Sequence, residues 1–95
     1  MRVTQEQADF FKNRIKISLP KPTVYLFGSR TDDRQKGGDI DILVIGERKL
    51  TGQEKRDIKI EFYKKFGEQK IDIVSYENNE QSNFKDILLT EAVEL

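Results

Sequence analysis

The sequence predicts an α/β fold, with a small sheet of three strands or slightly more flanked by helices in a single domain over residues 1–95. Three observations carry that expectation. Short runs of β-branched and aromatic residues, bounded by turn residues, lie at 23–27, 39–46 and 70–76. Longer segments before, between and after them repeat apolar residues every three or four positions, the period of a helix. No repeat or low-complexity stretch interrupts the alternation, and strands interleaved with helices pack as helical layers on a sheet.

The elements follow in order. In TQEQADFFKNRIKISLP, Ala8, Phe11 and Ile15 share one helical face, Thr4 and Gln7 form a capping box, and Pro20 closes the segment after roughly four turns. TVYLF follows Pro22 as a short buried strand, and DIDILVIG is a second strand stopped by Gly46. The next helix starts at a second capping box, Thr51 with Glu54. It places Ile58, Phe62 and Phe66 four residues apart and ends at Gly67. KIDIVSY alternates as a third strand, and SNFKDILLTEAVEL puts Phe84, Ile87, Leu88, Ala92 and Leu95 on one stripe of a closing helix.

Composition narrows the chemistry. Seventeen basic residues balance seventeen acidic ones, which argues against a protein held on nucleic acid by bulk charge, so no stable nucleic-acid binding is expected. The absence of cysteine and histidine excludes disulfide scaffolds, thiol catalysis, histidine bases and the usual zinc sets; any metal must be a hard ion on oxygen ligands. The first ten residues lack an apolar signal core and no apolar run reaches membrane-spanning length, so a soluble, cytoplasmic chain without a membrane partner is expected. Apolar and charged residues each make up 36% of the chain, a lean core that suggests a surface covered by a partner.

The stretch LFGSRTDDRQKGGDIDILV concentrates the chemistry. Side chains two apart on a strand leave the same face, roughly 6 to 7 Å apart along the backbone. Asp39 and Asp41 therefore make a carboxylate pair, with Ile40 and Ile42 on the opposite, buried face. Two like charges so close call for a cation, and magnesium suits one or two carboxylates plus phosphate oxygens. Asp72, between Ile71 and Ile73, joins them if its strand neighbours the second. Three acids without histidine fit a two-metal or metal-plus-base site for phosphoryl or nucleotidyl transfer. Gly28, ending the first strand, lets the backbone approach an anion, and Ser29 adds a hydroxyl and an amide N–H.

Gly28-Ser29, nine intervening residues, Asp39-Ile40-Asp41 in an apolar strand and Asp72 in a later strand resemble the nucleotidyltransferase superfamily that includes DNA polymerase beta, and within it the minimal nucleotidyltransferase (MNT) branch. The resemblance covers nearly the whole chain. It implies the nucleotidyltransferase fold, a small mixed sheet flanked by helices. It also implies that Asp39 and Asp41 bind Mg2+ ions, that Asp72 completes the triad, and that Gly28 and Ser29, with Arg30 beside them, hold the phosphates of a nucleoside triphosphate. One departure stands out. Many minimal members carry Arg-x-Arg-Gly after Gly-Ser in a loop one residue longer, whereas this chain has Arg30-Thr31-Asp32-Asp33, with Arg34 and Lys36 as further local cations.

Each motif also has a plainer reading. An isolated Asp-x-Asp is more often the solvated face of an edge strand, and Arg30 is as readily the ion-pair partner of Asp32 or Asp33. Gly37-Gly38 reads as a turn, the three tyrosines as core or rim, and the lysine-rich KRDIKIEFYKK as the wet side of a helix. Ninety-five residues leave no room for an acceptor platform. Free-standing minimal members resemble antitoxins of two-gene modules whose partner is a helical HEPN-domain ribonuclease toxin. The resemblance thus implies a hetero-oligomer in which AMP passes from ATP to a tyrosine hydroxyl of the toxin. The alternatives are a non-catalytic nucleotide-binding or masking subunit, and transfer to a small-molecule acceptor.

Overall fold

The computed structural model describes residues 3–28 and 38–95, so the expectations placed on Ser29, Arg30, Arg34, Lys36 and Gly37 lie outside the described residues. Helix α1 (Gln5–Ser18) leads into β1 (Thr23–Phe27), followed by β2 (Asp39–Gly46), α2 (Gly52–Phe66), β3 (Lys70–Glu77), α3 (Asn83–Glu91) and β4 (Val93–Glu94). The four strands form one mixed sheet in the order β3-β2-β1-β4. β2 and β3 run parallel, joined by the crossover helix α2 that a parallel pair requires. β1 lies antiparallel to both β2 and β4.

Both expected capping boxes form. Thr4 Oγ1 accepts the Gln7 N–H at 3.0 Å while Gln7 returns a bond to the Thr4 N–H, and Thr51 and Glu54 repeat the exchange on α2. Each cap satisfies donors that a helix start otherwise leaves unpaired. Gly67 ends α2 at φ 94°, a conformation that a side chain would make costly. Arg48 joins the helices, donating to both Glu54 oxygens and to the Ser18 carbonyl at the end of α1. This forked pair and the cap hold Glu54 down to a pKa of about 2.

The main core lies under α1 and α2. Phe11, Ile15, Ile58 and Phe62 meet Leu26, Ile40, Ile42, Val44, Ile71 and Ile73 from one face of the sheet. The Phe11 and Phe62 rings stack with centroids 5.2 Å apart, and Phe10 and Phe66 close around them. The opposite face carries a smaller cluster, Leu43, Ile45 and Leu88, edged by Tyr25, Phe27, Val74 and Tyr76.

The last segment departs from the expected single stripe. The helix stops at Glu91, and Val93–Glu94 pairs with β1 as a fourth strand, with the Leu95 N–H bonded to the Val24 carbonyl. Leu88 is buried, whereas Phe84 and Ile87 are 54% and 61% exposed. The reason is Lys85. Its ammonium is drawn in to the carbonyls of Glu77, Asn78 and Glu80, at 3.4, 3.3 and 3.0 Å, and this rotates the Lys85–Leu88 side of α3 toward the sheet. Among the described residues no helix is long and apolar enough to cross a membrane.

Candidate active site

The parallel pairing of β2 with β3 decides which acids meet. Asp39 stands opposite Lys70 and Asp41 opposite Asp72, while β1 places Phe27 on the other side of Asp41. One rung therefore reads Phe27, Asp41, Asp72 across three strands. Asp39, Asp41, Leu43 and Ile45 share one face by the period of two. α3 covers the Leu43–Ile45 end through Leu88, and the aspartate end remains partly open.

Asp41 is the most constrained of the acids. Burial first, then the charges of Asp72 and Asp39 and a hydrogen bond with Asp72, push its carboxyl above the usual carboxylate range, and Lys70 offsets part of that push. Gly28 follows Phe27 at φ 77°, and a Cβ built on it would overlap Asp41 Oδ2. The position therefore takes glycine for two reasons, backbone conformation and the close approach of a carboxylate.

The structure brings Gly28, Asp39, Asp41 and Asp72 to one edge of the sheet, as the sequence suggested; Ser29 and Arg30 lie outside the described residues. Sequence reasoning missed Lys70, whose ammonium lies 3.6 Å from Asp39 Oδ2. The signal was present in KIDIV, where the same alternation that exposes Asp72 puts Lys70 on its face. Gln69, whose side-chain amide donates to the Gly38 carbonyl, ties the entry of β3 to that of β2. An open cleft lined by Gly38, Tyr63, Glu68, Gln69 and Lys70 lies at this corner.

Carboxylates on adjacent strands are hard oxygen donors, and the Asp41 carboxyl, raised first by burial and then by the charges of Asp72 and Asp39, has neighbours whose repulsion a divalent cation would relieve. Oxygen donors of this kind are the type that magnesium takes. Among the described residues, however, no three acidic side chains stand ready as a metal cage, and Asp39 is engaged by Lys70.

The sequence profile described as "Polymerase beta, Nucleotidyltransferase" matches residues 5–95. No curated protein matches the chain by sequence. Several solved structures share its fold. A toxin–antitoxin structure with AMP-PNP superposes with a TM-score of 0.70 at 19% identity, over 92% of this chain and 70% of that one. A tri-AMPylated Shewanella oneidensis HEPN toxin in complex with MNT antitoxin gives a TM-score of 0.67 at 19% identity, over 95% and 69%. A toxin–antitoxin MntA-HepT structure gives 0.67 at 17% identity, over 96% and 70%.

Proposed function

The chain belongs to the polymerase beta nucleotidyltransferase family, and from that premise we propose that it is a magnesium-dependent nucleotidyltransferase that transfers AMP from ATP to a tyrosine hydroxyl of a HEPN-domain toxin, acting as its antitoxin. The observation that carries this reading is the rung that sets Asp41 against Asp72, beside a glycine that leaves the carboxylate its space. A masking surface has no physical need for carboxylates held against one another at a cost. The likeness in fold to a toxin–antitoxin pair with AMP-PNP, and to a complex whose toxin is tri-AMPylated, supports ATP as donor and a protein hydroxyl as acceptor.

In this reading Asp39, Asp41 and Asp72 would hold one or two magnesium ions, whose charge would stabilise the transferring phosphate and lower the pKa of the attacking hydroxyl. Gly28 lets the main chain approach the nucleotide phosphates, with Ser29 and Arg30 as further ligands. Asp72 is the exposed member of the cross-strand pair, open to an incoming acceptor. Its carboxylate accepts the hydroxyl proton as the tyrosine oxygen bonds to the α-phosphorus and pyrophosphate departs with the electrons of the broken P–O bond. In this reading the toxin positions the attacking oxygen, a contribution that can account for much of the rate.

Intact-mass spectrometry of a HEPN-domain toxin incubated with this protein tests the proposal. Incubation with ATP, magnesium and this protein should add AMP to the toxin, whereas Asp72→Asn should add none and the protein without toxin should consume little ATP. One observation favours a second reading, a subunit that neutralises by binding alone: Asp39 pairs with Lys70, and among the described residues the three acids do not gather into a metal-binding cluster. Blocked ribonuclease activity with no mass change under any nucleotide and metal condition would establish that reading.

A further inference from the structure

β3 opens with Lys70, which the parallel register sets directly across from Asp39, two residues before Asp72 is set across from Asp41. The Lys70 ammonium lies 3.6 Å from Asp39 Oδ2, and the side chains are 71% and 42% exposed. Backbone pairing fixes both Cα positions, so the contact does not depend on two loops happening to meet. An ion pair this exposed is nevertheless weak, and salt screens it. A divalent ion at Asp39 would bring twice the charge of an ammonium and a shorter contact to oxygen. The two cations cannot share that carboxylate without repelling each other.

We propose that Lys70 is a placeholder counter-ion: it occupies Asp39 while the acidic edge is empty and must leave that carboxylate before a divalent cation can use it. The inference rests on reading Asp39 as a metal ligand. It assigns Lys70 a positioning role that is separable from folding, because the pair is at the surface and its loss leaves the strand register to the buried isoleucines. It also gives the salt bridge a purpose opposite to stabilisation, since the bridge suppresses metal binding until nucleotide supplies additional oxygen ligands.

The test is Mn2+ binding to the protein alone, without nucleotide, followed by loss of the free-ion electron paramagnetic resonance signal. Lys70→Gln keeps the polarity of the side chain and removes the charge. It should bind Mn2+ about three- to tenfold tighter than wild type at low ionic strength, with the difference fading above roughly 0.5 M potassium chloride. Lys70→Arg should behave as wild type. Thermal midpoints of the three metal-free proteins should agree within a few degrees, so that tighter binding cannot be traced to a rearranged strand. Equal affinity in wild type and Lys70→Gln, or weaker binding in the variant, overturns the placeholder role. Failure of the underlying reading looks different: Asp39→Asn would bind Mn2+ as well as wild type, or none of the proteins would bind it even with AMP-PNP present. Either result removes the proposal together with the metal assignment.

Discussion

The two faces of this sheet are made by the same strands and differ in what those strands are asked to do. Beneath α1 and α2 the even-numbered residues of β2 are apolar from end to end, and Ile40, Ile42 and Val44 are all sealed from solvent. Beneath α3 the odd-numbered residues divide halfway, with Leu43 and Ile45 in a small apolar cluster and Asp39 and Asp41 at a partly open edge. The first face can carry the stability of the domain by itself, which frees the second to hold like charges side by side. A small protein that separates its duties in this way can tolerate an electrostatically unfavourable edge, because the cost falls where little packing depends on it.

The strongest challenge to this division is Phe62→Ala. Phe62 is stacked on Phe11 within the main core, and its truncation should cost about 3–5 kcal/mol. Against a total of about 5–15 kcal/mol that loss should leave the domain barely folded in a urea titration. A loss below about 1 kcal/mol would show that the face under α3 carries more of the stability than the burial pattern implies. On the other face, Gly28→Ala should cost less, about 1–3 kcal/mol, for a side chain forced to positive φ. Its effect on function should be the larger one, because the new methyl group must displace the Asp41 carboxylate. Calorimetry should show the stabilisation by magnesium and ATP largely abolished while the fold survives.

Asp41→Asn sharpens the comparison with the smallest and oppositely signed effect. The Asp41 pKa is raised in the folded state, so its ionisation detracts from stability. That cost is absent below the ordinary carboxylate range of the unfolded chain and complete once the pH exceeds the raised folded value. The asparagine variant should therefore melt slightly higher than wild type at neutral pH without metal. Screening at a partly exposed site limits the gain to about 0.5 kcal/mol, or about 2–4 °C. The advantage should vanish as the pH falls below about 4, where the wild-type carboxyl is neutral as well. A variant that melts lower at neutral pH would mean that Asp41 has a structural role its surroundings do not suggest.

Most of the fold could be read in the sequence because local signals and burial agree there. Both capping boxes, the Gly67 stop and the four-residue spacing of Ile58, Phe62 and Phe66 act within a few residues of one another, and each recurs in the structure. The carboxylate faces followed from the alternation of DIDI and KIDI. The closing segment was harder. Val93–Glu94 becomes a strand because β1 has an unpaired edge to offer, and that edge is absent from the local sequence. Phe84 and Ile87 turn outward because a lysine six residues before Glu91 finds three carbonyls to satisfy it, a preference that apolar periodicity cannot register. Lys70 escaped notice for a related reason. Its partner lies 31 positions away in the chain, and only the register of a parallel pair brings them together.

That register has a consequence for how the chain verifies its own folding. A slip of one residue between β2 and β3 would turn Asp72 into the main core and is self-defeating. A slip of two keeps every side chain on its proper face, and in one direction sets Asp41 across from Lys70, an ion pair that would locally reward the error. The same slip would set Leu43 across from Asp72 and Ile40 across from Gln69, although Ile42 and Val44 would still face Ile71 and Ile73. Buried Leu43 thus acts as a proofreader for the charged end of its own face, rejecting an alignment that electrostatics alone would accept. A protein trapped in that alignment would be nearly intact to far-ultraviolet spectroscopy and chemically silent.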